Sequence, residues 1–234
     1  LELGWDEQYR QSERLALHEE LLNLDLEFSR FDAALELVER WITDDPSEAT
    51  WGRAKERVLL AVARNDEAVV FATARLEPLT SQYAEVLRRQ QELEERLRRR
   101  PDTTPAEPTE AAELSAELEN AGNIAEQVRS ELTERRADYI EVCQDAGAYA
   151  PAVENLRSWM AHEPPEPQLQ EWLIELLLAA RRGEEALAVI GTLLPKTPTD
   201  VVKALIWRAR GYALVERGDD AIKDLTGLLN EGFI

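Results

Sequence analysis

The sequence predicts an all-α protein, an antiparallel helix-pair solenoid interrupted by a long helical hairpin. Three observations carry that reading. First, alanines recur at a fixed interval: Ala34 and Ala68 are 34 apart, Ala152 and Ala186 are 34 apart, and Ala221 follows 35 later. Second, Ala34, Ala152 and Ala186 each stand twelve residues before a proline, at Pro46, Pro164 and Pro198. A self-similar period of this length is what stacked helix pairs leave in a sequence. Third, stretches rich in Ala, Glu, Leu and Arg dominate, and β-branched runs bounded by turn residues are missing.

Helical spacing begins at residues 13–29, where Leu15, Leu22 and Leu26 lie among apolar neighbours. After Ser29-Arg30, a helix from Phe31 to about Thr43 places Ala34, Leu37, Val38 and Trp41 on one face. Asp44-Asp45-Pro46 ends it, because a helix usually stops before proline. Ser47 is the expected cap of the next helix, which runs to about Arg64. Asn65-Asp66 turns the chain, and Glu67 to about Glu77 is its partner.

The rhythm returns after residue 132. A helix through Ala137, Ile140 and Cys143 reaches Gly147, placed where a C-terminal glycine is expected. Pro151 falls in the first turn of the following helix, which carries Ala152, Leu156 and Trp159 and stops before Pro164. Helices 167–181 and 184–194 pair about Gly183, and 201–216 and 219–229 pair about Gly218. The recurring alanine has a mechanical reason. Two helices joined by a tight turn approach closely there, and a methyl side chain lets the backbones meet.

Between the repeats, Leu79, Tyr83, Val86, Gln90, Leu93 and Leu97 are spaced 4, 3, 4, 3, 4, and Leu114, Leu118, Ala121, Ala125, Val128 and Leu132 show a similar alternation. Both are heptad seams. Residues 101–108 hold three prolines and cannot continue a helix. The arms are complementary in charge, and Arg98, Arg99 and Arg100 would face Glu107, Glu110 and Glu113 if they fold back on each other. Three segments follow: repeats over 1–78, a hairpin over 79–132 with its tip at 101–108, and repeats over 133–234. The second arm is expected to run on into the next repeat. The hairpin either braces the two blocks or projects a contact or self-association element.

The repeat pattern resembles the tetratricopeptide family: a turn glycine, an alanine five residues on, a large apolar residue further along the second helix, and a closing proline. Gly147, Ala152, Trp159 and Pro164 match this frame; so do Ala34, Trp41 and Pro46, and Ala186 with Pro198. Gly183 and Gly218 stand three residues before their alanines instead of five, Arg75 replaces the large apolar residue of the second repeat, and Ala221 lacks the proline. The resemblance implies a concave groove lined by first helices. Its groove positions are Glu19 and Asn23, then Arg53 and Arg57, then Glu134, Ala137 and Glu141, then Gln168, Glu171 and Glu175, and last Lys203, Ile206 and Arg210. Lys203 and Arg210 could hold an anion, while the acidic neighbours suit a basic segment of a protein or peptide; an ordinary solvated acidic face is the alternative for those carboxylates.

Chemistry is sparse. His18 and His162 are the only histidines, and His18-Glu19-Glu20-Leu21-Leu22 lacks the second imidazole of a zinc site, so no metal and no cofactor are expected. No phosphate-cradling glycine loop or catalytic constellation is present, so the expectation is a non-catalytic interaction scaffold, with a structural spacer or a regulatory segment of a longer protein as alternatives. Trp41 and Trp159 read as core; Trp51, Trp172 and Trp207 are open to either reading. Cys143, on an inner face, reads as a buried thiol, and one cysteine fits a reducing compartment such as the cytoplasm. A net charge of −20 repels phosphate backbones, which argues against nucleic acid, and no apolar run approaches a membrane span. The absence of an initiator Met leaves room for an upstream signal, and the oligomeric state is not readable.

Overall fold

The structure is a computed structural model that describes residues 2–46, 49–99, 108–162, 167–193 and 197–230. It is all-helical, with ten helices among the described residues: α1 Glu2–Glu27, α2 Phe31–Asp44, α3 Ala49–Ala61, α4 Asn65–Arg98, α5 Pro108–Asp145, α6 Tyr149–His162, α7 Pro167–Ala179, α8 Gly183–Ile190, α9 Pro198–Leu214 and α10 Gly218–Asn230. The chain divides into two compact units, Leu1–Val142 and Cys143–Ile234. Ser47, Pro164 and the hairpin tip over 101–107 lie outside the described residues.

The period seen in the alanines is written into the backbone. Ser29, Ala63, Gly147, Arg181 and Glu216 adopt left-handed φ angles of 56°, 58°, 68°, 60° and 60°. In each turn the next residue's N–H reaches back to a carbonyl five residues earlier: Arg30 to Asp25, Arg64 to Leu59, Ala148 to Cys143, Arg182 to Leu177 and Arg217 to Tyr212, at 2.7–2.9 Å. That bond satisfies a carbonyl the helix end would otherwise leave open. Five residues past each left-handed position stands the repeat alanine, and Ala34, Ala68, Ala152, Ala186 and Ala221 are all buried. Arginines after the turn pair with an acid in the next helix's first turn: Arg64 with Glu67, Arg182 with Glu185 at 2.6 Å, and Arg217 with Asp220 at 2.7 Å.

Gly183 and Gly218 are not the turn residues expected. They open α8 and α10, and the left-handed positions two residues earlier are Arg181 and Glu216. Gly183 serves close packing instead. A β-carbon there would stand 2.9 Å from Leu214 Cβ and 3.0 Å from the Gly211 carbonyl.

In the first unit α1 packs on α2 and α3, α2 on α3, and α3 on α4. The core gathers Leu22, Ala34, Val38, Trp41, Trp51 and Val58. The helix expected to stop near Glu77 does not stop. It continues as the first hairpin arm, so α4 is one helix of 34 residues, about 50 Å long. Pro78 sits inside it. Pro78 and Ala74 are both exposed, so water can take the carbonyl that the missing N–H leaves free. Likewise α5 carries the second arm past residue 132 into the following repeat, as expected. The two heptad seams are the covered faces of these arms. Leu93, Leu114 and Ala121 form a buried cluster with Leu97 and Leu118 against it, and Gln90 Nε2 lies 3.5 Å from where a Gly122 β-carbon would be. Arg89 reaches Glu117 across the arms at 3.2 Å. Arg98 and Arg99, however, pair within their own helix, with Glu94 at 3.4 Å and Glu95 at 2.6 Å. Arg100, Glu107 and the Glu110 side chain, of the set expected to face across the arms, lie outside the described residues.

In the second unit α6 packs on α7, α7 on α8 and α9, α8 on α9, and α9 on α10. Six residues of α7, from Leu169 to Leu178, are buried, and the Cys143 thiol is buried. Thr197 caps α9 reciprocally with Asp200, and Pro198 opens that helix where its missing N–H costs nothing.

Two stability effects follow from this backbone. Gly147→Ala should cost about 1 kcal/mol, whereas Glu216→Gly should gain about 0.5–1 kcal/mol, because only glycine holds positive φ without strain. Denaturant midpoints check both signs. Pro78→Ala should restore a hydrogen bond in an exposed helix and raise stability by up to about 3 kcal/mol; an unchanged midpoint, with unchanged amide-exchange protection in α4, would show that the proline is accommodated without cost.

Candidate functional site

Side chains of α1, α2, α3 and α5 enclose a cavity of about 440 Å³ in the first unit. Its floor is Leu22, Trp41, Trp51 and Ala54, and its rim is Glu19, Arg53, Arg57, Glu134 and Arg135. The floor exists because the apolar stripes of α2 and α3 meet there: Trp41 and Trp51 pack with ring centroids 4.9 Å apart. His18 stacks on Trp41 at 4.4 Å and meets Trp51 edge-on at 5.2 Å. Burial, and after it the Arg14 charge, hold the His18 pKa below the usual histidine value. This imidazole is a packing group against two indoles.

The rim charges are ordered by partners on neighbouring helices. Arg53 grips Asp138 with two bonds of 2.7 Å, and Arg135 approaches the same carboxylate at 3.7 Å. Arg57 donates to the Asn23 amide oxygen at 2.8 Å and stands 3.9 Å from Glu19. Five of the groove positions expected from sequence, Glu19, Asn23, Arg53, Arg57 and Glu134, are thus brought together. Ala137 and Glu141 are exposed further along α5.

In the second unit, Lys203 donates to Glu171 at 2.7 Å and lies 4.7 Å above the Trp207 ring. Gln168, Ile206 and Arg210 are exposed and Glu175 is half-buried. Lys203 is thus paired with a carboxylate of the neighbouring first helix. Of the tryptophans left open by the sequence, Trp51 and Trp207 are buried and Trp172 is half-buried.

Behind the cavity lies a charge pair the sequence reading missed. Glu56, buried on α3, accepts a 2.6 Å bond from Arg75 on α4. Arg75 fits because residue 52 is glycine: a β-carbon there would fall 2.2 Å from the guanidinium carbon. Burial raises the Glu56 pKa above the ordinary 4.5, more than Arg75 lowers it. Glu56, Arg75, Arg135 and Asp138 line one small hollow with Leu76 and Tyr139, so the pair sits where α3, α4 and α5 converge. The signal was present in sequence as Arg75 at an apolar repeat position and Gly52 inside a helix.

Among the described residues no group of three His, Cys, Asp or Glu side chains could hold a metal ion, and no helix is long and apolar enough to cross a membrane. Comparison of the chain with family models, with curated proteins and with solved structures gives no match.

The Glu56 carboxyl sets a pH dependence of known sign. Its raised folded pKa means that the folded state binds the proton more tightly than the unfolded chain. Its contribution is then greatest below the unfolded value and is lost as pH rises through the folded one. Glu56→Gln should remove that component, so the wild type should gain stability relative to the variant as pH falls from neutrality through the raised Glu56 pKa toward the ordinary carboxylate range. Parallel unfolding curves across that range would refute the assignment.

Proposed function

We propose that the chain is a non-catalytic scaffold of tetratricopeptide-like helix pairs that holds a protein or peptide partner on the face formed by the first helix of each pair. The observation that carries this reading is the cavity over Trp41 and Trp51, rimmed by charges from α1, α3 and α5. A concave apolar floor with a few oriented polar groups suits an anchoring side chain and a chosen backbone direction. The same arrangement of neighbouring first helices, tied by a polar pair, recurs as Asn23 with Arg57 and as Glu171 with Lys203. Such pairs set the spacing between adjacent first helices and so keep the binding face preformed.

The partner carries a basic segment. Glu134 and Glu141 present exposed carboxylates, Glu175 a half-buried one, and the net charge of −20 draws cationic partners and speeds their encounter.

A photo-activated cross-linking residue tests the face directly. Placed at Arg57 or Gln168, on first helices, it should capture the partner; placed at Glu36 or Glu184, on second helices, it should not. Capture confined to the second-helix positions or to the hairpin arms would overturn the reading. Glu134→Lys with Glu141→Lys should weaken binding of a basic partner, and unchanged affinity would remove the charge argument.

A further inference from the structure

We propose that copies of this chain associate head to tail, with the outer face of α10 in one copy covered by α1 of the next. The inference stands on what each end leaves open. On α1, Leu17, Leu21 and Leu24 are 70%, 42% and 37% exposed, and Phe28, in the turn just past its end, is 67% exposed. On α10, Ile222, Leu225 and Leu229 are 64%, 45% and 63% exposed. Both stripes have helical spacing, 4, 3 on α1 and 3, 4 on α10, so each is one continuous face.

The repeat tells what belongs on those faces. Shifted by one period, Leu17, Leu21 and Leu24 become Trp51, Lys55 and Val58 on α3; in the second unit they become Leu169, Leu173 and Leu176 on α7. All but the half-buried Lys55 are buried. Ile222, Leu225 and Leu229 correspond to Leu35, Val38 and Ile42 on α2, which belong to the core shared with Trp51 and Val58. They correspond also to Leu187 and Ile190 on α8, and Leu187 closes on Gly211 of α9, where a β-carbon would lie 2.9 Å from its Cδ2. At α2 with α3 and at α8 with α9, the face of a second helix is therefore covered by the first helix of the next pair. Helix α10 is a second helix with that face bare, and α1 is a first helix with the matching face bare. Each of these two faces is half of a junction the chain already makes internally, and another copy of the chain presents the matching half. In register, Ile222 would lie over Leu24, as Leu187 lies over Gly211.

The surroundings oppose the contact at low salt. Each copy carries a net charge of −20, with Glu13, Glu20 and Glu27 flanking the α1 stripe, while Asp219 and Lys223 beside the α10 stripe offset one another. Screening this like-charge repulsion strengthens association. A heterologous contact builds rings or open chains and leaves a matching face on each added copy, so mass should grow past the dimer with concentration.

Sedimentation velocity of the full chain over a wide concentration range, at low and at raised salt, tests this with two face-blocked variants. One is Leu17→Glu with Leu21→Glu, the other Ile222→Glu with Leu229→Glu. Glutamine versions serve as a second pair, and circular dichroism checks that exposed-site changes leave the fold intact. The wild type should form species beyond dimer, more at raised salt. Each blocked variant alone should be monomeric, and an equimolar mixture should give a one-to-one dimer and nothing larger, since one intact face of each kind remains. A monomeric wild type at all conditions, self-association of either blocked variant, or a mixture that stays monomeric would overturn the proposal. Self-association of the α10-blocked variant would identify α1 against α1 instead.

Discussion

The structure depends on one backbone constraint, a left-handed residue that reverses the chain between paired helices. Ser29, Ala63, Gly147, Arg181 and Glu216 hold it, and four of the five are not glycine. A left-handed non-glycine residue carries a cost of about 1–2 kcal/mol. It is held because the backward hydrogen bond satisfies a carbonyl and because the reversal forces two helix ends into contact. An alanine five residues later is the consequence, since at that depth the second helix has no room for more than a methyl group. The 34-residue rhythm of alanines in the sequence is thus the shadow of a rhythm in φ.

The rhythm is bent once, and the bend is electrostatic. Where the repeat would place a large apolar residue, Arg75 enters the space left by Gly52 and meets Glu56. A buried ion pair gives little net stability over an apolar filling, but losing one partner is costly. It also demands direction, which an apolar side chain does not. Here the demand falls at the convergence of α3, α4 and α5, the place where the chain comes back from its long hairpin. We read the pair as the feature that fixes how α5 returns, with Asp138 held beside it by Arg53.

The helix pairs were legible because small and large apolar residues are forced by packing, and packing is what a period records. The heptad seams were legible for the same reason. Of the turn glycines, Gly147 was legible and stands at positive φ, but the other two misled. Glycine was the natural candidate at 183 and 218, yet the strain sits on Arg181 and Glu216, where no residue type advertises it, and Gly183 answers to a close helix approach instead. Pro78 misled in the opposite sense, because a proline on an exposed helix face breaks only a bond that water can replace. At the candidate site, the positions of Arg53, Arg57 and Glu134 followed from the repeat, but Glu56 and Asp138 did not. Asp138 meets Arg53 across the long insertion, which no local pattern contains, whereas Glu56 was signalled only indirectly, by Arg75 at an apolar position and Gly52 inside a helix.

The rim of the cavity divides into fixed and exchangeable charges, and that division is where recognition would be decided. Asp138 is largely buried and takes two bonds from Arg53, so removing that partner would strand a desolvated carboxylate. Arg57, bonded to Asn23 and close to Glu19, is about half-exposed, and such pairing is worth about 0–1 kcal/mol. A ligand can take over these bonds at little cost, while it must accept Arg53 where it stands. A partner that met only the fixed charges would find a shallow surface, and one that met only the exchangeable ones would find no defined direction. The apolar floor between them, Trp41 against Trp51 with His18 stacked beneath, supplies what neither set of charges can, a place where burying one side chain drives the exchange.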